Sequence, residues 1–140
     1  MIDGELAVDF VLGIMYLFWY IPEMTDGQKR VPALFYRSGS GNEPVREWLK
    51  KLKPQDRRLI GVDIMRVEYG WPVGMPVCRP LKQGLWEIRS SLSDGRTARV
   101  IFCIQNERMV LLHGFIKKSQ KTPLPDLDLA LGRKKEVEQQ

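Results

Sequence analysis

The stretch that decides the fold is LWEIRSSLSDGRTARVIFCIQNERMVLLHGFIKKSQKTP, residues 85–123. It holds three strand-like runs, Leu85–Ser91, Thr97–Ile104 and Met109–Ile116, rich in β-branched, aromatic and aliphatic residues. Asp94-Gly95 falls in the first gap, a pair that tolerates the positive φ of a hairpin turn, and Asn106-Glu107 fills the second. Strands joined by such short turns pair antiparallel, so the stretch predicts a three-stranded meander. It closes on three cations, Lys117, Lys118 and Lys121, then on Thr122-Pro123, which reads as a helix N-cap followed by proline at the first helical position. A strand that carries the single histidine, His113, and several lysines to a helix start suits an anionic partner, because the helix dipole favours negative charge there.

Working outward, Val31–Tyr36 is a short strand with a proline near its start, which places it at a sheet edge. Asn42 suits a cap and Glu43-Pro44 a first helical turn. Val45, Trp48, Leu49 and Leu52 then recur at helical spacing. A second helix over Pro54–Tyr69 carries Leu59, Ile60, Ile64 and Val67 along one side, with Asp63 at the edge of that stripe. The short link at Pro54 makes the two helices an antiparallel hairpin. Gly70–Pro76 is rich in breakers and reads as a loop. A last helix from Pro123 carries Leu127, Ala130 and Leu131 and runs into the charged tail RKKEVEQQ. The expected fold is α+β: an antiparallel sheet of one N-terminal edge strand plus the meander, packed by a helical hairpin and a C-terminal helix.

The size, 140 residues, fits one domain. Phe10–Ile21 is an apolar run of twelve, short of the ~20 residues of a membrane span and without the flanks of a signal peptide. Residues 1–23 are therefore expected to be an N-terminal extension, either a buried or partner-bound helix or sequence upstream of a true start at Met24. Residues 24–140 form the domain. The two cysteines, Cys78 and Cys103, fit neither a zinc spacing nor a disulfide framework and read as buried free thiols of a reducing cytoplasm. All 22 basic residues lie at or after Lys29, against 12 acidic ones there, a net +10. That excess points to a polyanion or an acidic protein; a surface kept soluble by positive charge is the plainer reading.

Alternation along the strands sorts the polar residues by face. Glu87 goes with Arg89, Arg99 with Ile101 and Cys103, and His113 with Leu111, Phe115 and Lys117. If those faces coincide, Glu87, Arg89, Arg99, His113 and Lys117 ring one patch, and a register slip of one residue would undo it. Such a set matches RNA cleavage: a base for the 2′-hydroxyl proton, cations for the charge on phosphorus, an acid for the 5′-oxygen. Each residue also has a plainer reading. A lone histidine on an apolar strand such as His113 is more often a packed, hydrogen-bonded side chain. Glu87 reads also as an orienter of arginines rather than a base, Arg89 and Arg99 as a structural network with Glu87, and Lys117 and Lys118 as an exposed strand end. Trp86 reads as core, or as a surface on which a base stacks.

Pro44-Val45-Arg46-Glu47-Trp48-Leu49, Leu81, Gly84-Leu85-Trp86-Glu87-Ile88-Arg89, Arg99-Val100-Ile101-Phe102 and Leu112–Pro123 together resemble the phage-derived, HigB-like branch of the RelE/ParE/HigB toxin superfamily. The resemblance spans roughly residues 31–137. It implies a small RelE-like fold and the toxin half of a type II toxin–antitoxin pair: a ribosome-dependent mRNA endonuclease that inhibits translation in the cytoplasm. It implies an antitoxin partner, often with a helix-turn-helix DNA-binding domain, and neither a metal nor an organic cofactor nor a membrane. The basic positions it matches are Arg89, Arg99, Lys117 and Lys118, with His113 and Glu87 beside them. With the strand faces this gives a candidate catalytic set of His113, Arg89, Arg99, Lys117 and Glu87 and a candidate RNA-binding set of Arg79, Lys82, Lys118 and Lys121. Arg79 stands at the place where members of the branch often carry a lysine, and where ribonucleases of the wider superfamily often use a tyrosine near the C-terminus, no tyrosine follows Tyr69 here. A ParE-like inhibitor of DNA gyrase and an inactive phage remnant are the alternatives.

Overall fold

The computed structural model describes residues 29–118 and 121–140, so the expected extension at 1–23 lies outside the described residues. The meander is present as β3 (Trp86–Ser91), β4 (Thr97–Gln105) and β5 (Arg108–Lys117), paired antiparallel in sequence order. The first reversal puts Asp94 at φ +61° and Gly95 at +73°. The second puts Asn106 at +52° and Glu107 at +61°. Two further strands complete the sheet. β1 (Ala33–Phe35) lies at the edge as expected, but it runs parallel to β5. β2 (Cys78–Pro80) pairs antiparallel with β3 on the far edge, giving the order β1-β5-β4-β3-β2. β2 is three residues long and ends in proline, too short to show any alternation.

The helices divide between the two faces. α1 (Pro44–Lys51) and α2 (Pro54–Gly70) form the hairpin, and each starts on a proline, where the missing N–H leaves no helical bond unmade. They cover one face, where Val45, Leu49, Ile60 and Ile64 pack with Ile88, Val100, Phe102 and Leu111. Asp63 is buried there and accepts hydrogen bonds from Ser90 Oγ at 2.6 Å and Arg66 at 2.8 Å, so the polar residue in the helical stripe ties α2 to β3. Trp86 meets Trp71 edge-on at 4.9 Å and belongs to this core. α3 (Leu124–Glu138) lies on the opposite face, over Ile101, Cys103, Val110 and Leu112.

One irregularity sets what that second face displays. Ile101 stands opposite His113 and Phe102 opposite Leu111, so Leu112 is an extra residue, a β-bulge. Strict alternation would put His113 on one face with Leu111. Instead Leu111 packs under the hairpin while Val110 and Leu112 pack under α3, and His113 faces the α3 side with Ile101. The expected grouping of His113 with Leu111 is therefore corrected, and its grouping with Phe115 and Lys117 stands. The neighbouring Gly114 faces the hairpin, where a Cβ would come within 2.4 Å of the Trp48 ring. Only glycine lets that indole lie on β5.

Candidate active site

The registers place the polar residues in rows across the α3 face. Arg79, Glu87, Ile101 and His113 are cross-strand neighbours from β2 to β5. In the next row Arg89 stands opposite Arg99, and Arg99 opposite Phe115. Thr97 and Lys117 end the row beyond. Glu87, Arg89, Arg99, His113 and Lys117 thus share a face, with Arg79 beside them.

Glu87 is fully buried, and its Oε2 accepts a 2.6 Å hydrogen bond from the Thr122 hydroxyl. Its Oε1 lies 3.8 Å from Arg89 Nε. Held between these groups, the carboxylate is placed to fix guanidinium groups. Arg99 is fully buried as well, and its guanidinium lies 5.9 Å from the Phe115 ring centre. Burial pushes the Arg99 pKa below the usual arginine value; the charges of Arg89 and Arg79 act the same way, and those of Glu87 and Asp126 oppose them. Three arginines therefore crowd one carboxylate, and Arg89, with 15% of its side chain exposed, reaches solvent where Arg99 does not.

His113 stacks on Phe115, ring centres 5.4 Å apart and 26° between planes. Its Nε2 is 2.7 Å from Oδ1 of Asp126, in the first turn of α3, and both side chains keep partial exposure. Lys117, Lys118, Lys82 and Lys121 are all exposed, the first two at the end of β5, Lys82 before β3 and Lys121 ahead of α3.

The start of α3 differs from the expected cap. Its N-cap is Pro123, with no side-chain cap bond, and Thr122 gives its hydroxyl to Glu87. The helix mouth presents the protein's own carboxylate, Asp126, to His113. Thr122 and Asp126 are the site residues that the sequence reading missed. Thr122 had a local role as a cap, and an acid in a first turn is normal dipole chemistry. Nothing in the sequence shows that a helix starting after β5 folds back over the same strand.

Further along α3, Arg133 donates to the carbonyl oxygen of the bulge residue Leu112 at 2.7 Å, and its guanidinium lies 5.3 Å from the Tyr36 ring centre. The Tyr36 hydroxyl donates to Glu136. These contacts fix α3 to the sheet beside the site.

The family described as phage derived protein Gp49-like (DUF891) matches residues 47–135. The chain belongs to that family. The Gp49-like span runs from α1 into α3 and contains every residue of the rows above, with Thr122 and Asp126. Gp49-like proteins are a RelE-like toxin family, which implies an antitoxin as partner. No curated protein matches the chain. Among the described residues no helix is long and apolar enough to cross a membrane.

Proposed function

We propose that this Gp49-like protein is a HigB-like toxin that cleaves mRNA on the ribosome, acting in the cytoplasm and held inactive by an antitoxin. The observation that carries the reading is the juxtaposition, on one sheet face, of a partly exposed imidazole with a cluster of arginines. His113 takes the proton of the ribose 2′-hydroxyl as that oxygen attacks phosphorus. Arg89 and Arg79 hold the phosphate, and their charge offsets what develops on its oxygens. The bond to the 5′-oxygen breaks, its electron pair leaves with that oxygen, and solvent water protonates it. The products are a 2′,3′-cyclic phosphate and a 5′-hydroxyl, without a cofactor. Glu87 and the buried Arg99 act from below, fixing Arg89 and adding positive potential. Lys117, Lys118, Lys82 and Lys121 hold the strand on either side of the cut.

The reading is tested in a reconstituted translation system. The protein is expected to cut mRNA only while ribosomes carry it, with about 10²–10⁴-fold loss in His113→Ala, the usual contribution of a positioned base. Uncut mRNA together with inhibited supercoiling by DNA gyrase would replace this reading with the gyrase one.

A further inference from the structure

From the His113–Asp126 contact we infer that Asp126 is a positioning residue: it fixes the ring tautomer of His113 so that Nδ1, rather than Nε2, is the nitrogen that takes the substrate proton. The inference rests on the nuclease reading above. An ionised carboxylate can only accept hydrogen bonds, so the 2.7 Å contact to Oδ1 requires Nε2 to carry the hydrogen. A neutral imidazole has one N–H, and with Nε2 protonated the lone pair lies on Nδ1. Phe115 stacked on the ring limits its tilt, so the carboxylate fixes rotation while the phenyl ring fixes the plane. The bulge at Leu112 turns His113 towards α3, and the first turn of α3 supplies Asp126. Thr122, four residues earlier, holds Glu87 by donating its hydroxyl hydrogen to the carboxylate. One short segment thus sets both the imidazole and the carboxylate that organises the arginines.

His113 is the only histidine of the chain, so imidazole ¹⁵N spectra of the whole protein report on it alone. The wild-type neutral ring is expected to show the Nε2–H tautomer, and Asp126→Ala a mixture of the two. Asp126→Glu, which keeps an accepting carboxylate, should hold the wild-type pattern. In mRNA cleavage, Asp126→Ala should lower kcat at least about tenfold while KM stays within about twofold, and Asp126→Glu should recover part of the loss. Thermal melts identify any variant that has simply unfolded, in which case the wild-type and Asp126→Glu spectra decide. A wild-type Nδ1–H tautomer overturns the inference. So does an unchanged kcat in folded Asp126→Ala when His113→Ala is inactive. Full activity in His113→Ala would instead bring down the underlying reading. That failure is distinct because it appears in the histidine variant and leaves the spectra as expected.

Discussion

Gly114 shows how one residue carries a packing decision. With a Cβ 2.4 Å from the Trp48 ring, Gly114→Ala must move either the indole or β5. Overpacking of this kind costs about 1–3 kcal/mol, so its urea midpoint should fall with an unchanged denaturant slope. The arginines separate at the same scale. Arg89 reaches solvent, and Arg89→Ala should abolish cleavage while leaving the thermal midpoint within a few degrees of wild type. Arg99 is among the largest fully buried side chains, so Arg99→Ala leaves a cavity in the core beside Glu87, which Arg89 and Thr122 still hold. Truncating a large buried side chain costs about 2–5 kcal/mol, and equilibrium unfolding should show a loss of that size. Lost activity in Arg99→Ala therefore says nothing of chemistry, whereas in Arg89→Ala it does.

The element that completes the site is α3, tied down by Arg133 on the bulge carbonyl and Glu136 on Tyr36. Burial and Glu136 push the Tyr36 hydroxyl up to about 12 from 10.0, and burial pushes the thiols of Cys78 and Cys103 up to about 11 from 9.0. All three are raised in the folded state, so their stabilising contribution is complete below pH 9 and is lost as pH rises from 9 to 12. A pH series of melting temperatures should fall over that window, and Tyr36→Phe should flatten its upper part. The meander was legible in the sequence because its turns and its strands gave the same answer. The hairpin was legible because its apolar residues recur at helical spacing. The parallel pairing of β1 was not, since an edge strand reads the same in either direction. The bulge was hidden for another reason: Val110, Leu111 and Leu112 are all apolar, so no polar residue marks where alternation breaks. Arg89, Arg99 and His113 share a face in the sequence only on the assumption that the faces of three strands coincide. The β3–β4 pairing sets the two arginines opposite each other, and the bulge brings His113 to the same side. Thr122 and Asp126 depend on where α3 docks, which no local pattern encodes.

At the scale of the molecule, the net +10 beyond residue 28 sits on a fold that brings Arg79, Arg89, Arg99 and Lys117 to the α3 side of its sheet. Binding of a short single-stranded RNA should therefore weaken with salt, by about 0.7 in the logarithmic slope for each phosphate contacted. Two to four contacts give a slope of about −1.4 to −2.8, and Arg89→Ala should reduce its size by about 0.7. The central claim, a ribosome-dependent nuclease with Arg89 in its site, is met most directly by mapping new mRNA 5′ ends in bacteria within minutes of induction, beside an Arg89→Ala control. The account predicts cuts in phase with codons that vanish in the control. Growth arrest with no new 5′ ends, or cuts that persist unchanged in Arg89→Ala, would contradict it.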